Sequence, residues 1–197
     1  MTALEWAIAQ TGTPPTDEVY CPARDVAQAR VARLQLMLER GGWDETQAAL
    51  ITAILGEITG NCFDHNLGQW RDVPGCWFEY QVTGDVMVAE VADRGQGILG
   101  SLRQVRPQLQ DHHEALHLAF TEQLSGRAPE KRGNGLKFVM RSLTKLPSPH
   151  FLFYSGNARL ELALPLDINH LDAYITPSET IVLGTYALVR FAKVGKL

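Results

Sequence analysis

The sequence predicts an α/β two-layer sandwich, with a mixed, largely antiparallel sheet carrying helices on one face. Two observations lead there. Two long helical segments precede the first pair of strand-like runs, and a further amphipathic helix separates that pair from a second pair. Strand pairs joined by short turns become antiparallel neighbours, and helices grouped apart from them cover one side of the sheet.

The 197 residues suit one domain with modest extensions, and 45% apolar with 20% charged residues is ordinary globular composition. A net charge of -4 gives no bulk reason to expect nucleic acid or an anionic membrane as a partner. Cys21, Cys62 and Cys76 form an odd set without CxxC spacing, which predicts buried free thiols in a reducing compartment rather than disulfides or a zinc knuckle. No basic-then-apolar leader and no run of membrane-spanning length are seen, so a cytoplasmic location is expected.

Residues 1–18, with a short apolar start and then Thr-Gly-Thr-Pro-Pro-Thr, are expected to be a linker or loosely packed arm. Glu18–Cys21 reads as a short strand stopped by Pro22. A helix is predicted from Asp25 to about Arg40, ended by Gly41-Gly42. A second helix starts at Asp44, an N-cap with Gln47 three positions on, and runs to about His65. Residues 77–82 and 86–91 flank Thr83-Gly84-Asp85 as a hairpin. The polar, glycine-punctuated stretch from Asp93 to Arg132 holds one helical pattern, near Glu114–Leu124, and suits a functional lid. Leu136, Val139, Met140 and Leu143 predict a helix over 135–146, with Pro147 after it. Residues 151–154 and 160–164 read as a second hairpin around Ser155-Gly156-Asn157, and Thr180–Phe191 as a last strand or two. The expected division is an arm at 1–18, a domain at 19–166 and a C-terminal strand extension at 167–197. That extension covers the domain's own core, or alternatively forms a sheet edge or homodimer contact.

Three motifs carry chemistry. Glu57, Asn61 and His65 lie four residues apart on the second helix; each step turns about 40°, so they form one polar line beside an apolar stripe. Asn61 offers an amide oxygen to Mg²⁺, and Glu57, one turn away, can deprotonate a hydroxyl or water. Gly56 and Gly60 each cost roughly 1 kcal/mol inside a helix, which close approach by a ligand or backbone would explain. The plain alternative is a solvated glutamate and a helix-capping asparagine. Next, Asp93-Arg94-Gly95-Gln96-Gly97 follows a hydrophobic strand, where the aspartate can accept from an adenine amino group and the glycines admit the base; an ordinary turn has the same look. Last, Lys131-Arg132-Gly133-Asn134-Gly135-Leu136 opens a helix whose free N–H groups suit phosphates. A plain glycine-rich helix entry is the competing explanation.

In this order, the set resembles the N-box, G1 box and G2 box of the GHKL superfamily of ATP-binding domains (histidine kinase-like ATPases), over roughly residues 22 to 165. Asn61-Cys62-Phe63-Asp64-His65 is closest to the anti-sigma-factor serine kinase type, where histidine kinases usually carry lysine in place of His65. Pro22-Ala23-Arg24, Ile98 and Ser101-Leu102-Arg103 are similar too. The resemblance implies ATP and Mg²⁺ as cofactors, with Glu57 as catalytic base, Asn61 as Mg²⁺ ligand and Asp93 as adenine anchor. It implies Gly95, Gly97, Gly133 and Gly135 as nucleotide-loop positions, with His65, Ile98, Lys131, Arg132, Asn134 and Leu136 lining the same site. The implied activity is a serine/threonine protein kinase acting on a separate protein, such as a sigma factor or an anti-anti-sigma-like protein. An ATP-dependent binding switch or weak ATPase is the alternative. No histidine precedes His65, so the leading helix supplies no phosphoacceptor for self-phosphorylation. His113-Glu114-Ala115-Leu116-His117 also fits HExxH, the zinc metalloprotease signature, as a remote rival, but no third ligand stands out.

Overall fold

The computed structural model describes residues 1–122, 135–163 and 167–194. Its strands are β1 (Tyr20–Cys21), β2 (Cys76–Thr83), β3 (Val86–Asp93), β4 (His150–Leu162) and β5 (Ile175–Ala192). The helices are α1 (Ala3–Ile8), α2 (Arg24–Arg40), α3 (Glu45–Asp64), α4 (Gly97–Arg103), α5 (His112–Thr121) and α6 (Gly135–Leu143). The five strands form one sheet in the order β1-β2-β3-β5-β4, and every pairing is antiparallel rather than mixed.

Strand alternation assigns the faces. Phe78, Met87, Ala89, Val91, Phe151, Phe153, Ala187, Val189 and Phe191 point to one side. There they meet Leu34 and Leu38 of α2, Ile51, Ile54 and Leu55 of α3, Leu116 and Phe120 of α5, and Val139 and Leu143 of α6 in a continuous core. Asp44 caps α3 as predicted, its Oδ1 accepting from Gln47 N at 2.9 Å. The edge of β2 beyond the short β1 is engaged by Arg30, which donates to Phe78 O at 2.7 Å.

The opposite face is not bare. Trp77, Ala92, Val182 and Tyr186 pack against Ala3, Trp6 and Ala7 of α1, so the expectation of helices on one face alone is corrected. The loosely packed arm is corrected with it. Thr2 and Glu5 form a capping box, Trp6 is fully buried, and its Nε1 donates to Thr13 O at 2.8 Å. Arg94, also buried, donates to Trp6 O, Ala7 O and Ala9 O at the C-terminal end of α1 and pairs with Asp72 at 2.7 Å.

Two further expectations change. Ser155-Gly156-Asn157 is no hairpin turn: β4 runs through it as one strand, with register shifts against β5 at Ser155/Gly156 and Gly156/Ala158. The C-terminal segment is no add-on at an edge, because β5 lies between β3 and β4. The described part of the 93–132 stretch holds two helices, α4 and α5, where one was expected. No helix among the described residues is long and apolar enough to cross a membrane.

Candidate functional site

The end of β3, the C-terminal half of α3 and the starts of α4 and α6 meet at one end of the sheet. The floor there is a single row of side chains crossing all five strands. Cys21 opposes Cys76, Cys76 opposes Asp93, Asp93 opposes Thr185, and Thr185 opposes Ser155. Alternation puts this row on the helix-covered face, where aliphatic residues otherwise dominate.

Asp93 is 2% exposed, and a carboxylate so placed must be hydrogen-bonded. Its Oδ1 accepts from Asn66 Nδ2 at 2.9 Å and from Gly95 N at 2.8 Å, and its Oδ2 accepts from Thr185 Oγ1. Burial raises the Asp93 pKa above its ordinary value, while the bonds from Thr185, Gly95 and Asn66 hold the rise back.

Asn66, itself buried, is the hub. Its Nδ2 also donates to Cys62 O at 3.0 Å, and its Oδ1 accepts from Gln96 N at 3.2 Å. Gly95 is explained by this packing, since a Cβ there would lie 2.0–2.2 Å from the Asn66 amide. Gly97, at φ +70°, occupies backbone space that side chains disfavour, 2.5 Å from Leu183 O on the same measure. Ile98 N donates to Ser155 Oγ at 2.9 Å, which in turn donates to Gly184 O at 3.1 Å. His65 closes α3 and pairs through Nδ1 with Ser101 Oγ at 2.9 Å.

Glu57, Asn61 and His65 do lie along α3, the first exposed and the other two half-buried. Gly135 begins α6 beside them, where a Cβ would stand 2.6 Å from Glu57 Oε2 and 3.6 Å from the Asn61 amide. Leu136 turns into the core. Lys131, Arg132, Gly133 and Asn134 lie outside the described residues. Gly56 has no neighbour within 4 Å of such a Cβ, and Gly60 meets only Arg24 Nη1 at 3.7 Å. Close approach by another backbone therefore does not explain these two glycines.

Asn66, Thr185 and Ser155 belong to this candidate site by their hydrogen bonds, and the motifs did not contain them. Asn66 directly follows His65, and Gly184-Thr185 interrupts an apolar strand, which was the available signal. A Cβ on Gly184 would meet Asp93 O at 2.2 Å.

The donor chemistry around Glu57 and Asn61 suits a hard cation held largely by phosphates: one amide oxygen, one carboxylate a turn away, and the glycine that leaves room between them and α6. The HExxH segment is built differently. His117 Nε2 lies 3.6 Å from Asp172 Oδ1, and Glu114 sits exposed in the first turn of α5, its N–H donating to Asp111. Among the described residues no group of three or more His, Cys, Asp or Glu is placed to hold a metal ion. No protein-family model matches the chain, and no curated protein matches it either.

Proposed function

We propose that this chain is an ATP- and Mg²⁺-binding regulatory protein of the GHKL type, acting as a serine/threonine protein kinase on a separate protein partner. The observation that carries the reading is convergence. Gly135 stands against Glu57 and Asn61 at the entry of α6, while Asn66, from the same stretch of chain, reaches Asp93. The helix entry and the strand end thus both adjoin the C-terminal half of α3 and the turn after it.

In this reading Asn61 would hold Mg²⁺, which neutralises phosphate charge when bound. The N-terminal amides of α6 would face the phosphates. Glu57, exposed and one turn from Asn61, would accept the proton of the incoming hydroxyl. Asp93 would take the adenine amino group, and its enclosure has a consequence here. A base reaches this carboxylate only after the turn at 94–97 or the Asn66 amide gives way. That requirement favours the second reading, an ATP-dependent switch, because a site that opens in order to bind couples nucleotide to shape.

Calorimetry with MgATP tests the site: Asn61→Ala and Asp93→Ala should lose binding, whereas Glu57→Ala should bind and lose turnover. Unchanged affinity in the first two variants rules the reading out. Labelled ATP incubated with the products of neighbouring genes separates the activities, since a phosphorylated band supports the kinase and binding without transfer supports the switch.

A further inference from the structure

Cys21 and Cys76 are direct partners across the β1–β2 ladder, and strand alternation puts both thiols on the same, helix-covered face. Facing residues of an antiparallel pair have Cα atoms about 4.5–5.5 Å apart, inside the roughly 4.4–6.8 Å window that a disulfide needs. All three cysteines are free and buried. Cys62 of α3 belongs to the same buried cluster, its thiol donating to Ile58 O at 3.5 Å.

We propose that Cys21 and Cys76 form a disulfide-exchanging pair, a modification site whose co-reactant is a small-molecule disulfide of the glutathione class. β1 is only two residues long and lies at the sheet edge, so its unzipping is a small local opening that uncovers Cys21 while the core stays folded. In the closed pair the Cys76 thiol and the nearby Arg30 guanidinium lower the Cys21 pKa against the opposing effect of burial, while that of Cys76 is raised by its thiol neighbours and by burial, so Cys21 is the more readily ionised of the two. The Cys21 thiolate attacks one sulfur of the small disulfide, forming a mixed disulfide and releasing one small thiolate. Cys76 then loses its proton and attacks Cys21 Sγ, releasing the second thiolate. Overall, two protein thiols are oxidised to one disulfide and the small disulfide is reduced to two thiols.

This pair does not depend on the nucleotide reading, but it touches the same floor. Cys76 faces Asp93 across β2–β3, so oxidation of the pair changes a direct neighbour of that carboxylate.

The test incubates the folded full chain with oxidised glutathione, followed by intact mass measurement and peptide mapping without reductant. The expected product has lost two hydrogens and links the peptides holding Cys21 and Cys76; Cys62→Ser retains that link and Cys21→Ser abolishes it. Wild-type mapping needs no variant to fold. Three unmodified thiols after incubation, a stable glutathione adduct without the link, or a Cys62–Cys76 link would each overturn the proposal. Binding of MgATP to the reduced protein is measured separately, so failure of the nucleotide reading leaves this result standing.

Discussion

Asn66 and Glu57 stand at opposite ends of what a single residue can tolerate in this protein. A methyl group at Gly95 would strike the amide of Asn66, which is buried and has nowhere to retreat. Its displacement strips donors and acceptors from Asp93 Oδ1, Cys62 O and Gln96 N. Gly95→Ala is therefore expected to cost about 2–3 kcal/mol, read from urea denaturation; a loss below about 0.5 kcal/mol would show that Asn66 is not the hub. A methyl at Gly135 meets instead the far end of the exposed Glu57 side chain, which can swing away. Gly135→Ala should leave stability within about 0.5 kcal/mol yet weaken MgATP binding by roughly tenfold, about 1.4 kcal/mol. Wild-type affinity in that variant counts against α6 as a phosphate-facing entry. The alignment of Glu57, Asn61 and His65 was legible in the sequence because a helix period is local. Thr185 and Ser155 were not, since the row they share with Asp93 exists only through strand register, which no short window of sequence contains.

Among the elements, α1 shows how a six-residue helix becomes structural. It is too short to be stable by its own hydrogen bonds. Trp6 fastens it to the sheet, and the buried Arg94 guanidinium caps its final carbonyls while leaning on Asp72. The Arg94 hydrogen bond holds the Asp72 carboxyl well below the usual aspartate range. A carboxyl lowered in this way stabilises the fold fully above its ordinary value of 3.8, and the contribution drains away as pH falls through the lower folded value. Asp72→Asn should therefore cost about 2 kcal/mol at neutral pH, less than a fully buried pair because the carboxylate keeps solvent contact. The stability curves of variant and wild type should converge in acid; a gap that stays constant with pH would exclude the ion pair as its source. Sequence periodicity fails at this length, so the segment read as a linker or loosely packed arm. The same limit applies to β4, where Ser-Gly-Asn has the composition of a turn but serves as an irregularity inside one strand.

For the whole molecule, the decisive fact is that the last strand fills the sheet's interior. The two-layer plan and the antiparallel pairing were legible, because hairpin spacing and amphipathic helices are properties of neighbouring residues. The position of β5 was not, since its partners β3 and β4 are reached only through long-range pairing. A chain ending at residue 166 keeps every motif residue but leaves β3 and β4 without the strand between them. It should fail to give a cooperative melt or dispersed amide spectrum; a folded truncated chain would contradict the strand order. The rims left by that order differ sharply. One is a two-residue strand, and the other is the thirteen-residue β4. Long straight rims recruit further chains into fibrils, and here the two register irregularities bend the rim, with the charged pair Arg159 and Glu161 beyond them. The kink that hid this strand from sequence reading also makes the rim a poorer template for a second copy than a straight strand of the same length.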